Sequence, residues 1–100
     1  MQLYAIRRRN AWKTPAELQA TAERSAREGD KTPDQVRWIR SYVVNEDDGT
    51  LGTVCIYEAA SPEAIRDHAA RTDMPADEIT PVADTVVVRP DPETAGTAAS

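Results

Sequence analysis

The apolar run that opens the chain predicts a short first strand from Leu3 to Arg8, with Leu3 and Ala5 alternating against Tyr4 and Ile6. Thr14-Pro15-Ala16-Glu17 then reads as a helix start. The Thr14 hydroxyl can accept the Glu17 amide, the Glu17 carboxylate can reach back, and Pro15 suits the first helical position. This helix is predicted to run to about Glu28 and stop at Gly29. Its apolar stripe, Leu18, Ala22 and Ala26, is narrow and implies a thin helix lying close to a sheet. Val36 to Val44 is rich in β-branched and aromatic residues, Asn45-Glu46-Asp47-Asp48-Gly49 is turn chemistry, and Leu51 to Ala59 is the returning strand of a hairpin. Ser61-Pro62 repeats the helix-start pattern, and the second helix should end by Thr72, before Asp73-Met74-Pro75. Ile79 to Val88 is predicted as a last strand, interrupted near Pro81 because proline cannot donate to a ladder.

The order strand, helix, strand, strand, helix, strand is the split βαβ pattern. It predicts a ferredoxin-like α+β domain over residues 1–88, an antiparallel sheet with both helices on one face. Residues 89–100 form a polar, proline-bearing tail expected to be disordered. The second sheet face is left bare, and such faces are commonly covered by a second copy, so a homodimer is expected. A chain of 100 residues buries roughly 65% of its unfolded surface, which makes a deep private cavity hard to build.

The hairpin sets a parity. A two-residue loop pairs Asp47 with Thr50 and a four-residue loop pairs Asn45 with Thr50. Both registers put Trp38, Arg40 and Tyr42 on the face of Thr53, Cys55 and Tyr57. Ile39, Ser41 and Val43 then share the other face with Val54, Ile56 and Glu58. The second set is smaller and more aliphatic and is assigned to the helix side, unless a β-bulge shifts the parity. On the second helix Ile65, His68, Ala69 and Thr72 share one face, so His68 points at the sheet, toward the end where Glu58 leaves its strand.

Charge narrows the partners. A net charge of −5 and a pI near 4.8 argue against nucleic acid, which calls for a basic footprint. Arg7-Arg8-Arg9 is a short exception and reads as a solvated strand end. No apolar run approaches the roughly 20 residues of a membrane span, and the N-terminus lacks a signal peptide's apolar core. A single cysteine forms no internal disulfide, so a cytoplasmic location is expected.

Candidate chemistry gathers at Cys55, Glu58 and His68. His68 with Glu58 can be a proton-transfer pair, the carboxylate orienting the imidazole, or a buried polar bridge that locks helix to strand. Cys55 reads as a packed thiol, with no histidine on its own face. Arg40 and Tyr57, with Trp38 and Tyr42, can line a small-molecule ligand surface or a dimer interface. A closed zinc site needs four Cys or His ligands and the chain offers two, so a metal would sit in an open site or be completed across a dimer.

Four blocks add a resemblance: Arg37-Trp38-Ile39-Arg40-Ser41-Tyr42-Val43, Cys55-Ile56-Tyr57-Glu58-Ala59, His68-Ala69 and Pro75-Ala76-Asp77-Glu78-Ile79-Thr80. In this order they resemble a family of small bacterial domains of unknown function that includes an actinobacterial nickel-binding protein. The resemblance implies a homodimer of ferredoxin-like subunits and binding of nickel or a similar divalent metal. The family's functional-looking positions fall on Cys55, Glu58 and His68. Divalent-metal binding, with metal sequestration as its purpose, is therefore the leading expectation. The rivals are a small cofactor-independent enzyme of the dimeric α+β barrel kind (isomerase, cyclase or monooxygenase), with His68 as acid or base, Glu58 its orienter and Tyr57 or Arg40 a substrate contact, and a non-catalytic interaction module working through Trp38, Arg40 and Tyr42. The enzyme reading requires a pocket of about 300 Å³ or more beside His68.

Overall fold

The computed structural model describes residues 1–92 except residue 77. Its elements are β1 (Gln2–Trp12), α1 (Pro15–Lys31), β2 (Val36–Asn45), β3 (Leu51–Ala59), α2 (Pro62–Thr72) and β4 (Glu78–Pro81). The strands form one antiparallel sheet in the order β2-β3-β1-β4. Both helices pack on one face, which is the ferredoxin-like α+β arrangement expected from the element order.

Both helix starts form as their sequences predict. Thr14 Oγ1 accepts the Glu17 amide at 3.2 Å, and Ser61 Oγ accepts the Ala64 amide at 3.2 Å. The Glu17 carboxylate reaches one residue further back than the capping pattern implies, accepting the Lys13 amide at 2.9 Å. α1 passes through Gly29 and ends at Lys31, where the Thr32 amide donates to the Gly29 carbonyl. Its buried residues are Thr21 and Ser25, and Ala26 is exposed. The face α1 turns to the sheet is thus small and polar, rotated from the expected Leu18-Ala22-Ala26 stripe.

The hairpin takes the register that neither expected loop supplies. Asn45 pairs with Leu51, and the Glu46 amide donates to the Thr50 carbonyl around Asp47-Asp48-Gly49. This odd-numbered loop closes on Gly49 at φ 87°, a left-handed conformation that glycine adopts without steric cost. Pairing is thereby shifted by one residue, so Ser41 faces Cys55 and Val43 faces Thr53. A bulge between Trp38 and Arg40 shifts it back, and Trp38 faces Tyr57 as the sequence implied. Arg40 and Tyr42 consequently leave the face of Cys55 and Tyr57.

The sheet's sides are also exchanged relative to the expectation. Tyr4, Ile6, Cys55, Tyr57 and Ala59 face the helices and form the core with Val36, Ala64 and Ile65. Val54, Ile56 and Glu58 lie on the open face. The physical reason is α1: its small residues leave a gap that aliphatic Val54 and Ile56 could not span, whereas the ring of Tyr57 reaches across it. Ile79 leans on this core from β4.

The last strand is shorter than predicted and stops at Pro81. The Val82 amide still donates to the Leu3 carbonyl, after which the chain leaves the sheet. Asp91 then meets Arg40 and Tyr42 on β2, the opposite edge, so residues 82–91 form a strap across the open face. Residues 89–92 of the expected disordered tail include this anchored Asp91, and 93–100 lie outside the described residues.

Candidate functional site

Small inward residues on α1 facing large ones on the sheet leave two cavities between the layers. One, of about 310 Å³, is lined by residues including Arg8, Trp12, Leu18, Val43, Thr53 and Cys55. The other, of about 320 Å³, is bordered by Gly29, Pro33, Val36 and His68. Ser25, Trp38 and Tyr57 border both. Tyr57 is wedged between them, stacked on Trp38 with ring centroids 6.1 Å apart and tilted against His68 at 5.8 Å.

His68 faces the sheet as its helical spacing predicted, and only 1% of it is exposed. Its partner is Ser25. The Ser25 hydroxyl lies 3.0 Å from His68 Nε2 and 3.1 Å from the Tyr57 hydroxyl, making a buried Tyr57–Ser25–His68 chain. Burial holds the imidazole below its ordinary pKa, with the Arg71 and Arg8 charges adding to the effect and Glu28 opposing it. Burial likewise pushes the Tyr57 phenol upward, despite its bond to Ser25. Both groups are neutral at pH 7, and a neutral chain of this kind can move a proton in either direction.

Glu58 is not part of it. It lies on the open face, 3.2 Å from Arg37 across the hairpin, so the expected Glu58–His68 pair does not form. Strand alternation puts Glu58 opposite its neighbour Tyr57, and the exchanged sides carry the carboxylate away from α2. Arg40 is also on the open face, bound to Asp91 at 3.2 Å and near the Tyr42 hydroxyl. Of the residues singled out from the sequence, the structure brings Cys55, Tyr57 and His68 to the helix side and sends Glu58 and Arg40 to the other.

Arg8 and Ser25 are the residues that sequence reasoning missed. Arg7-Arg8-Arg9 is not a uniform solvated end, because only Arg9 is exposed among the three. Arg7 pairs with Glu46 at 3.0 Å, and Arg9 pairs with Glu78 at 2.6 Å. Arg8 is 1% exposed. Its Nε donates to the Pro75 carbonyl at 2.6 Å and its Nη1 to Cys55 Sγ at 3.1 Å. The alternation Tyr4-Ile6-Arg8 carried the signal, since it continues the buried face through the guanidinium. Ser25 has no comparable signal; its importance comes from what crosses the sheet to meet it.

The fold and this polar interior define a small ferredoxin-like α+β protein with paired interlayer cavities. A family model described as nickel responsive protein SCO4226-like matches residues 4–82, and the chain belongs to that family. Among solved structures it is similar to the crystal structure of SCO4226 from Streptomyces coelicolor A3(2), with a TM-score of 0.65 and 22% identity. That match covers 84% of this chain and 99% of the other. A comparison with curated proteins returns no match.

Nickel suits imidazole donors, and the buried donors of one chain do not fit it. His68 Nε2 is bonded to Ser25 and its Nδ1, unpartnered among the described residues, is enclosed in the interior, while Cys55 Sγ lies against a guanidinium that would repel a cation. The Glu58 carboxylate is on the far side of the sheet. Among the described residues, no three His, Cys, Asp or Glu side chains cluster to hold a metal. No helix among them is long and apolar enough to cross a membrane.

Proposed function

We propose that this protein is a cytoplasmic, homodimeric divalent-metal-binding protein of nickel type that takes up metal at its surface, through donors shared between copies. Membership of the nickel responsive family over residues 4–82 carries the reading. The engagement of His68 and Cys55 in interior hydrogen bonds supports a surface location over the His68–Glu58–Cys55 set expected from sequence. Calorimetric titration with nickel should show saturable binding that a chelator reverses. His68→Asn and Cys55→Ser should leave its affinity within about twofold, less than the tenfold that 1.4 kcal/mol represents. Absence of saturable binding would sink the metal reading, and loss of affinity in His68→Asn would return the imidazole to the ligand set.

The open sheet face supports the dimer. Leu3, Ala5, Val54 and Ile56 lie there only half buried, and Val86, Val87 and Val88 of the strap are 85%, 72% and 80% exposed. Apolar surface of this kind is usually covered by a partner. A second copy is the simplest one.

The Tyr57–Ser25–His68 chain favours a second reading, a cofactor-independent acid–base enzyme in which His68 and Tyr57 exchange protons with a ligand through Ser25. It meets the requirement of a cavity above about 300 Å³ beside His68. Small enolisable acids can be followed in deuterated water by NMR. Exchange above the buffer rate that disappears in His68→Asn would favour this reading, and exchange at the buffer rate would exclude it for those acids.

A further inference from the structure

Arg8 poses a problem that the contacts within the chain leave open. A guanidinium is always charged in proteins, and this one is 1% exposed with no carboxylate partner among the described residues. Burying a charge without a counter-charge is strongly unfavourable. The nearest compensation is the face of Tyr57, 5.9 Å from the guanidinium carbon, which offsets only part of that cost. Among the described residues Arg8 Nη2 has no hydrogen-bond partner, and neither has the buried hydroxyl of Thr53. Arg8 and Thr53 are direct register partners on β1 and β3, so the two unsatisfied groups stand side by side on the same face. Both line the 310 Å³ cavity under α1. The rest of that wall is mainly apolar, with Trp12, Leu18, Val43 and Met74 among its residues.

We propose that this cavity is a binding site for a small monocarboxylic acid with an apolar body, its carboxylate held by Arg8 Nη2 and the Thr53 hydroxyl. The carboxylate supplies the missing counter-charge and satisfies both orphaned donors in one step. Apolar walls select for a single anionic end. A phosphate or sulfate would bring further charge and oxygens against a wall that is mainly apolar, and a divalent cation would be repelled by Arg8. Trp38 and Val43, 39% and 53% exposed, place the mouth at the β2 edge. The cavity sits at the lower end of the roughly 300–1,000 Å³ range of ligand pockets, which limits the body to about a single ring or a short chain. This site is independent of the surface metal binding proposed above.

The chain's two tryptophans, Trp12 and Trp38, both border the cavity and report its occupancy. Full-length protein is titrated with phenylacetate, hexanoate and the neutral isostere phenylacetamide, with a chelator present throughout so that metal plays no part. At least one acid should change the tryptophan emission saturably with a Kd on the order of 1 mM or tighter, and phenylacetamide should bind at least about tenfold more weakly than phenylacetate. Thr53→Val should weaken acid binding by about threefold to tenfold while the protein stays folded by circular dichroism. Arg8→Met, which keeps the volume and removes the charge, should abolish the preference for acid over amide. Saturation by neither acid, equal binding of phenylacetate and phenylacetamide, or an unchanged acid affinity in Thr53→Val would each overturn the proposal.

Discussion

The side chains that matter most here are polar ones placed where a core would ordinarily be apolar. Ser25 satisfies two buried groups at once, so Ser25→Ala should leave His68 Nε2 and the Tyr57 hydroxyl without their shared partner. The expected cost is about 1–3 kcal/mol, read from urea denaturation. His68 also gives stability a pH dependence. Above the ordinary value of 6.5 the imidazole is neutral folded and unfolded, and it makes no difference. As pH falls below 6.5 the unfolded chain takes a proton that the folded chain resists, so stability declines until the pH passes the lowered folded value. The carboxylates of Glu46 and Glu78, held low by hydrogen bonds from Arg7 and Arg9, lose their pairing only below the ordinary glutamate value of 4.5. Loss of stability between pH 6.5 and about 5 should therefore be flattened in His68→Asn. A slope that persists in that variant would assign the effect to another group.

At the level of elements, two irregularities decide which residues meet. The three-residue turn on Gly49 and the bulge after Trp38 each shift the strand parity by one. The bulge separates Trp38 from Arg40 and Tyr42, which strict alternation had kept together, and the turn decides which of them shares the face of Cys55 and Tyr57. β1 is likewise irregular between Arg8 and Trp12, with Asn10 at φ 51°. Gly52 packs beneath that kink, where an added Cβ would lie 2.5 Å from the Arg8 carbonyl oxygen and also overlap the Glu46 carboxylate. Gly52→Ala should thus cost about 1–3 kcal/mol through overpacking, measurable as a lower denaturation midpoint with an unchanged slope. By contrast, Thr14→Ala removes one cap bond at an exposed helix start. Its cost should stay within about 0.5–2 kcal/mol.

The whole molecule is two layers with one side uncovered. If a second copy covers the open face, Ile56→Glu, which puts a charge at the centre of that apolar surface, should convert a dimer to a monomer in light scattering. The strap from β4 to Asp91 lies over the same face, held by the 2.7 Å bond between the Tyr42 hydroxyl and Asp91 and the 3.2 Å pair with Arg40. Its valines would then be covered with Ile56. A monomeric wild type would exclude this arrangement and, with it, metal donors shared between copies.

Element order, helix starts and the sheet-facing direction of His68 were determined by the sequence alone, because alternation, caps and helical spacing act over a few residues. The family resemblance was legible in short blocks for the same reason. Tertiary structure decided the partners. A single-residue difference in turn length reversed part of a strand, and the small face of α1 drew Tyr57 and Cys55 inward where aliphatic residues were expected. That exchange of the sheet's sides took Glu58 from His68 and gave Ser25 in its place. It also left Arg8 enclosed beside a cavity with no counter-charge among the described residues, a consequence of packing between distant segments that no local pattern encodes.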